Sequence, residues 1–281
     1  MQGKVCVITG GTSGIGLVAA ETLAQRGARL VLVAREKARG EAAMARIRER
    51  APGAQISIHY GDLSRLQEMR RLGQEIGAAE PKIDVLMNNA GAMFSRRSVT
   101  EDGLERTFAV NHMAYFVLTQ WLRERVIAAA PARIVNTASE AHRRARLDFA
   151  DLQSARGYSF FTAYGRSKLA NILFTRELAR RLAGSGVTAN CLHPGLVATR
   201  IADNNRGVLS LAAGIVKNLF GLSPEKGAET MVYLATSPDV AGVTGVYFDK
   251  SRPAVPAAAA QDDAAARRLW DESARIAQLP A

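Results

Sequence analysis

The stretch KVCVITGGTSGIG, residues 4–16, decides the fold class of this chain. Its first half is a continuous apolar run, typical of a strand buried on both faces. Its second half, Thr9–Gly16, is a glycine-rich turn that closes the strand and opens a helix, whose N-terminal N–H groups can bind a pyrophosphate. Such a turn also occurs as an ordinary connection, but its place at the first strand-to-helix junction favours a dinucleotide. We expect these residues to bind the cofactor: Gly10, Thr12, Ser13, Gly14, Ile15 and Gly16.

Similar apolar runs follow along the chain, each separated from the next by a helix-length segment, at residues 28–35, 55–62, 82–91, 132–139 and 186–195. Strands that alternate with helices predict a parallel sheet covered on both faces. The fold class is therefore α/β, a doubly wound parallel sheet, with a candidate edge strand at residues 242–249. No repeat or linker divides the sequence, so we predict one domain over residues 1–281. A C-terminal extension, about 252–281, begins with an alanine-rich, loosely ordered connection and ends in a helix.

Composition excludes several classes of function. The net charge is +11, but the basic residues are interleaved with glutamate on predicted helices, which argues against a nucleic-acid partner and leaves an anionic cofactor or substrate favoured. No run approaches the roughly 18 apolar residues of a membrane span, and no signal peptide is recognisable. Cys6 and Cys191 lie in apolar runs, so we predict buried free thiols and a cytoplasmic location. The four histidines lack ligand spacing, so we predict no metal site.

The end of the second predicted strand, LVLVAREKARG, indicates which dinucleotide is bound. An acidic residue there would hold the ribose hydroxyls of NAD, whereas a basic residue suits the extra phosphate of NADP. Ala34 stands where the acid is expected, and Arg35 follows, with Lys37 and Arg39 close behind. We therefore predict NADP(H) as the preferred cofactor, bound by Arg35. In the alternative, Arg35 is a solvated loop residue beside Glu36, and NAD(H) serves as well.

A tyrosine and a lysine stand one helical turn apart in TAYGRSKLANILFTRELARRL, which begins at Thr162. Alone, Tyr164 and Lys168 would be an ordinary surface pair. Downstream of a dinucleotide turn they have a chemical use, because a nearby ammonium lowers the pKa of a phenol from its usual value near 10. The pair then predicts a proton donor and acceptor for a carbonyl and alcohol couple.

At this point the chain resembles the short-chain dehydrogenase/reductase family, with one Rossmann-like domain, over nearly its whole length. The motifs that carry the resemblance are TGGTSGIG from Thr9, GDLS from Gly61, NNAG from Asn88, VNTAS ending at Ser139, YGRSK from Tyr164 and HPGLVATR from His193. Within the family, VNHMAYFVLTQ from Val110 and SEAH from Ser139 look most like the branch of retinol-dehydrogenase-like and WW-domain-oxidoreductase-like enzymes.

The resemblance implies a role for each matching residue. Tyr164 is the catalytic acid and base, Lys168 lowers its pKa and binds the nicotinamide ribose, Ser139 steadies the substrate oxygen, and Asn111 holds a water that links Lys168 to solvent. Towards the cofactor, Asp62 and Leu63 flank the adenine, Asn89 approaches the ribose and Thr199 contacts the nicotinamide end. One departure is that Ala138 stands where the branch usually has a first serine.

These residues predict an oxidoreductase, a carbonyl reductase or alcohol dehydrogenase, acting on a lipophilic aldehyde, ketone or alcohol. The segment at about 200–223 contains the apolar run Val208–Leu222, which is either a helix packed on the core or a lid over the substrate. The leading alternative is a non-catalytic NADP(H)-binding sensor or scaffold, although such a protein has no use for a tuned phenol. A nucleotide-sugar epimerase or dehydratase would need a longer C-terminal part than follows Gly195. Family resemblance also makes a homodimer or homotetramer the expected assembly.

Overall fold

A computed structural model describes residues 1–195 and 223–279 of the chain. Within these residues, eight strands form one sheet in the order β3-β2-β1-β4-β5-β6-β7-β8. All neighbours are parallel except β7 and β8. The strands are β1 Val5–Thr9, β2 Arg29–Ala34, β3 Ile56–Tyr60, β4 Val85–Asn88, β5 Ala132–Thr137, β6 Val187–His193, β7 Tyr247–Asp249 and β8 Arg252–Pro253. This order confirms the predicted α/β class, a doubly wound parallel sheet. The run predicted as an edge strand does form β7, but β8 lies beyond it and is the edge of the sheet.

Helices cover both faces of the sheet. They are α1 Gly14–Gln25, α2 Lys37–Arg50, α3 Leu66–Ala79, α4 Ala114–Ile127, α5 Phe160–Arg181, α6 Pro224–Thr236 and α7 Asp263–Ala277. On one face, α1, α2 and α6 share a core that contains Leu23, Ile47 and Met231. On the other, α3, α4 and α5 share a core with α7, where Phe174 packs against Trp270 at a ring separation of 5.8 Å. Each face of the sheet is thus covered, which is why its central strands are mostly apolar.

The sheet places the site because its chain order reverses beside β1. Strand β2 lies on one side of β1, and β4 lies on the other. The turns that leave β1 and β4 therefore diverge at the carboxyl edge of the sheet. A crevice at such a switch point is the usual ligand site of this architecture. Asp84 fixes the register at the opposite edge, where its carboxylate accepts from Lys4 Nζ at 2.7 Å and from the backbone N–H of Val5 at 2.8 Å.

Two features of the C-terminal part differ from the sequence prediction. The short antiparallel strand β8 was not expected, because two residues give no periodicity to read. The alanine-rich connection is irregular for most of its length, but it contains one 3-10 turn, Ala258–Ala260, in which Ala260 is fully buried in a core that includes Leu169 and Ala170 of α5. Alanine side chains are small enough to let this backbone approach the helix closely.

The predicted substrate segment lies almost wholly outside the described residues. Only Ser223 is described, and its hydroxyl caps α6 by accepting from the backbone N–H of Lys226. Thr199, predicted to contact the nicotinamide end, lies outside the described residues too.

The contact between α3 and α4 gives a test of the packing. A Cβ at Gly73 would lie 2.4 Å from the Cβ of Trp121, whereas a Cβ at Gly77, one turn further along α3, would meet nothing closer than 3.9 Å. We predict that Gly73→Ala lowers the free energy of unfolding by about 1–3 kcal/mol through overpacking. Gly77→Ala should instead raise it by about 0.5–1 kcal/mol, because alanine is the better helix former. Urea unfolding of both variants measures this, and equal effects would contradict the packing described.

Candidate active site

One cavity of about 710 Å³ opens at the carboxyl edge of the sheet. It is the place where most of the residues that the sequence singled out come together. The predicted residues that line it are Gly10, Thr12, Ser13, Gly14, Ile15, Arg35, Asp62, Leu63, Asn89, Ser139, Tyr164 and Lys168. Gly16 and Asn111 are not in its lining. Residues far apart in the chain therefore share one site.

The glycine turn owes its shape to close backbone contacts. Gly10 and Gly14 have positive φ angles of 67° and 54°, which favour glycine. A Cβ at Gly16 would lie 2.3 Å from the carbonyl oxygen of Gly10, so this glycine lets α1 start against the turn. In α1 the N–H of Leu17 bonds the carbonyl of Ser13, and the N–H groups before it have no acceptor inside the helix. The turn thus presents backbone donors to the cavity, as a pyrophosphate requires.

Asn89 joins the glycine turn to the end of β4. Its Nδ2 donates to the carbonyls of Thr9 and Gly10, each at 3.2 Å, and its Oδ1 accepts from Thr137 Oγ1 at 3.4 Å. In return, Thr9 Oγ1 accepts from the backbone N–H groups of Asn89 and Ala90. The Asn89 side chain therefore both holds the glycine turn in place and lines the cavity. Its predicted approach to the cofactor ribose stays a prediction.

Charged side chains gather at the end of β2. Arg35 lines the cavity and pairs with Glu36 at 2.9 Å, while Arg39 pairs with the other oxygen of the same carboxylate at 3.1 Å. The hydrogen bond from Arg35, followed by the charge of Arg39, lowers the pKa of Glu36. Two guanidinium groups against one carboxylate leave a net positive charge here. Each sequence interpretation of Arg35 agrees with one of these observations. Its pairing with Glu36 fits a solvated loop residue, and its place in the cavity lining fits a phosphate ligand.

The end of β3, the strand paired with β2, also contributes to the cavity lining through Asp62 and Leu63. Asp62 Oδ1 accepts from the backbone N–H of Ser64 at 2.9 Å, which shapes the turn, and Leu63 is buried in the core beneath α3. Their predicted contact with an adenine ring stays a prediction.

Ser139, Tyr164 and Lys168 meet where β5 ends against α5. Ser139 follows the strand and caps a 3-10 turn, Glu140–Arg144, through the backbone N–H of Ala141. Lys168 is 1% exposed, its Nζ donates to the carbonyl of Thr137 at 3.0 Å, and the same Nζ lies 5.7 Å from the ring centre of Tyr164. The Ser139 hydroxyl lies close enough to Tyr164 to act on its pKa. Strand and helix thus hold a hydroxyl, a phenol and an amine side by side.

Burial dominates the ionisation of this group. It raises the pKa of Tyr164 to about 12, against the smaller lowering effect of the hydrogen bond from Ser139, and it lowers the pKa of Lys168 to about 7. Burial thus outweighs any lowering of the phenol pKa by Lys168 in the protein's own groups, and the predicted role of Lys168 stays a prediction. With a pKa of about 7, Lys168 carries its positive charge for only part of the time at neutral pH, whereas the argument from sequence assumed a permanent charge.

Asn111 lies behind the cavity in a π-helical turn, Ala109–Met113. Its Oδ1 accepts from the backbone N–H of Ala92 at 2.7 Å, and its Nδ2 donates to the carbonyl of Ala92 and to Ser167 Oγ, each at 3.0 Å. Asn111 Oδ1 and Lys168 Nζ lie 3.4 and 3.5 Å from the point that a Cβ at Gly91 would occupy. Asn111 therefore joins the loop after β4 to α5. The water that it is predicted to hold, as a link from Lys168 to solvent, stays a prediction.

Sequence reasoning missed two residues of this site. Ser167 accepts from Asn111 and donates to the carbonyl of Tyr164 at 2.7 Å, which connects Asn111 to the backbone of α5 beside Tyr164. Tyr115 is buried, with its ring centre 5.6 Å from Lys168 Nζ. Ser167 stands inside the YGRSK motif and could have been noticed there. Tyr115 carries no such signal, because it reads as one more core residue of α4.

The structure also bears on the metal ligands, the cysteines and the membrane spans considered in the sequence analysis. Among the described residues, histidine, cysteine and carboxylate side chains do not gather in a group of three that could hold a metal ion. Cys6 and Cys191 are buried and free, as predicted. Every helix within residues 1–195 and 223–279 is too short or too polar to cross a bilayer.

Comparison with known proteins agrees with this geometry. Human retinol dehydrogenase 13 is 41% identical over 287 residues, which cover all of this chain and 86% of the relative, and mouse retinol dehydrogenase 14 is 42% identical, covering 97% and 85%. Among solved structures, an uncharacterised protein of Mycobacterium paratuberculosis has a TM-score of 0.80 at 31% identity, covering 100% of this chain and 96% of that one. The Pseudomonas aeruginosa RhlG/NADP active-site complex has a TM-score of 0.69 at 28% identity, covering 88% and 94%. The family model described as short chain dehydrogenase matches residues 4–208, so this chain is a member of the short-chain dehydrogenase/reductase family and is retinol dehydrogenase-like.

Proposed function

We propose that this protein is an NADP(H)-dependent oxidoreductase that transfers a hydride between the nicotinamide and a lipophilic aldehyde, ketone or alcohol. The observation that carries the proposal is that one cavity is lined both by the glycine turn with Arg35 and by Ser139, Tyr164 and Lys168. Family membership supports the reaction type, and the names of the retinol dehydrogenase relatives support an apolar substrate.

The residues of the cavity fit NADP(H) in kind. Backbone N–H groups of α1 suit a pyrophosphate, and the net positive charge of Arg35 and Arg39 against Glu36 suits a further phosphate. A guanidinium can grip that phosphate through two charge-assisted hydrogen bonds, for which Arg35 would leave Glu36. The name of the RhlG complex, which states NADP, supports the same choice. NAD(H) is the alternative cofactor.

When bound, the nicotinamide supplies or accepts the hydride. The protein's part is to manage the proton and the oxygen of the substrate. Because burial raises the pKa of Tyr164 to about 12, its phenol is protonated at neutral pH and can donate to a carbonyl oxygen that becomes an alkoxide. The hydroxyl of Ser139 steadies that oxygen as its charge develops. Lys168 holds the geometry through Thr137 and supports transfer of the proton from Tyr164.

Apolar side chains form part of the cavity lining. They include Phe94, Val110, Ala141 and Phe161, and Phe161 is 68% exposed while its ring centre lies 4.0 Å from that of Phe160. A large aromatic ring left in water at the mouth of a cavity is an anchor for an apolar molecule. This supports a lipophilic substrate. The cytoplasmic location and the dimeric or tetrameric assembly stay predictions.

Tyr164→Phe tests the chemistry. The variant keeps the ring but loses the proton that the substrate oxygen needs, so turnover should fall by at least about 10²-fold. NADPH affinity should stay nearly unchanged, because the ring still fills its place. Turnover is followed by NADPH absorbance with all-trans-retinal and then other lipophilic carbonyls. Tyr233→Phe, a matched change in α6, serves as the control, and wild-type turnover by Tyr164→Phe on any substrate would refute the role.

Arg35→Ala tests the choice of cofactor. Loss of a charge-assisted grip on the extra phosphate should raise the Kd for NADPH about tenfold or more and leave the Kd for NADH nearly unchanged. Fluorescence titration measures both constants. Lys37→Ala is the control, because Lys37 is 78% exposed, pairs with Glu41 and has no place in the cavity lining. An unchanged ratio of the two constants in Arg35→Ala would remove Arg35 from the phosphate site.

A further inference from the structure

We propose that the C-terminal segment, residues 252–279, positions two parts of the active site through two buried histidines. One is His142, which bonds the backbone of Ser139, and the other is His112, which stands beside Asn111. Both would be positioning residues, since neither lines the cavity. The inference rests on the proposed function for its kinetic consequence, whereas the contacts themselves stand on the structure alone.

His142 bridges the loop of Ser139 to the C-terminal segment. Its Nδ1 lies 2.7 Å from the carbonyl oxygen of Ser139, and because a carbonyl can only accept, Nδ1 carries the proton. Its Nε2 is then the acceptor, and it receives the backbone N–H of Ala257 at 3.1 Å. The imidazole is fully buried, and burial lowers its pKa. A neutral ring with both nitrogens engaged therefore spans from one segment to the other.

The hydrogen bond from His142 to the carbonyl of Ser139 helps to fix the position of the Ser139 hydroxyl. Ser139 begins the 3-10 turn, and its carbonyl also accepts the backbone N–H of His142 at 3.1 Å. With two donors on that carbonyl, the peptide plane after Ser139 cannot rotate without breaking both bonds. A second tether supports the bridge, because Arg143 NH2 donates to the carbonyl of Val255 at 3.1 Å. The ring of Tyr247 packs edge-on against His142 at 5.1 Å and closes its remaining side.

His112 forms the matching link at the other part of the site. It belongs to the π-helical turn that holds Asn111, and its Nε2 lies 2.8 Å from Ser273 Oγ in α7. Ser273 donates its single hydroxyl proton to the carbonyl of Leu269 at 2.7 Å, so His112 Nε2 must be the donor. Both side chains are buried, and burial lowers the pKa of His112 to about 3. This link too is a neutral hydrogen bond shielded from water.

The other contacts of α7 anchor the helix without a hydrogen bond to either histidine, although Phe174 also packs edge-on against His112 at a ring separation of 6.1 Å. Trp270 stacks on Phe174, Asp263 pairs with Arg180 at 2.8 Å, and Arg70 NH2 donates to the carbonyl of Ala277 at 2.6 Å. They stabilise the docked segment as a whole. Stability and positioning can therefore be separated by changing different contacts of the same segment.

Replacing His142 with asparagine or glutamine can keep one of its two hydrogen bonds and remove the other. His142→Asn offers an amide near the place of Nδ1, so it can keep the bond to Ser139, but it is too short to reach Ala257. His142→Gln offers an amide near the place of Nε2, so it can keep the bond to Ala257 and loses the donor to Ser139. For the second link, Ser273→Ala removes the hydroxyl and little volume. Arg70→Ala is the control, because it loosens the end of α7, one turn after Ser273, without removing a hydrogen bond of either histidine.

The experiment has two readouts. Hydrogen exchange by mass spectrometry should show faster exchange over residues 138–145 in both His142 variants and over residues 109–113 in Ser273→Ala. With NADPH and all-trans-retinal, or the first lipophilic carbonyl that the wild type reduces, kcat should fall about tenfold in these three variants, since small misplacements of reacting groups cost that much or more. The KM and the Kd for NADPH should stay nearly unchanged. Arg70→Ala should match the wild type in kcat and in exchange over both regions.

Wild-type exchange and kcat in His142→Asn would overturn the bridge from Ala257, and the same result in Ser273→Ala would overturn the second link. An equal loss in Arg70→Ala would also overturn the proposal, since general loosening would then explain the effect. If the His142 variants do not fold, Ser273→Ala still decides the second link. If the wild type reduces no carbonyl, the proposed function fails, while the exchange pattern still decides whether the segment positions these loops.

Discussion

The hydrogen bond from Lys168 Nζ to the carbonyl of Thr137 is the contact on which the site depends. Thr137 ends β5 two residues before Ser139, and Lys168 lies one turn after Tyr164 in α5. One buried bond therefore sets the distance between the strand that carries the serine and the helix that carries the phenol. Asn171 Nδ2 donates to the same carbonyl at 3.1 Å, so the joint has a second support from the same helix. A buried amine without this acceptor would be costly, which gives the joint one stable arrangement.

The same burial sets the chemistry of the pair. Taking the amine fully and the phenol partly out of water penalises both charged forms, so the pKa of Tyr164 rises and that of Lys168 falls. The protein alone thus holds a proton donor ready for a carbonyl. The opposite, oxidative direction needs the phenolate, and the positive charge of an oxidised nicotinamide would favour it. Direction is therefore coupled to which form of the cofactor is bound, within the proposed mechanism.

Much of the fold and most of the site were predictable from sequence, for physical reasons that differ by residue. Buried parallel strands leave continuous apolar runs, and the crowded glycine turn admits little besides Gly10, Gly14 and Gly16, so both are visible in a sequence. Tyr164 and Lys168 are visible because one helical turn separates them. The role of Tyr115 is not visible, because a core aromatic residue has no special spacing. The effect of burial on the phenol pKa also needs the structure, since sequence shows a charged neighbour but not the loss of water around both groups.

The long-range contacts of His112 and His142 could not be predicted from the sequence, for a related reason. His112 and His142 have no ligand spacing, and their partners Ser273 and Ala257 lie more than a hundred residues away along the chain. Nothing local marks them as connected. The alanine-rich connection looked loosely ordered because composition does not reveal that small side chains allow close packing on α5.

The most direct test of the central claim is isotope transfer from NADPH that carries deuterium at C4 of the nicotinamide. The wild-type protein is incubated with each C4-deuterated epimer of the cofactor and a lipophilic aldehyde, and the alcohol product is analysed by mass spectrometry. A single fixed site predicts that deuterium reaches the alcohol carbon from one epimer and not from the other. Tight binding of NADPH without any transfer, across a panel of lipophilic carbonyls, would contradict the account and favour a protein that binds the cofactor without turning it over.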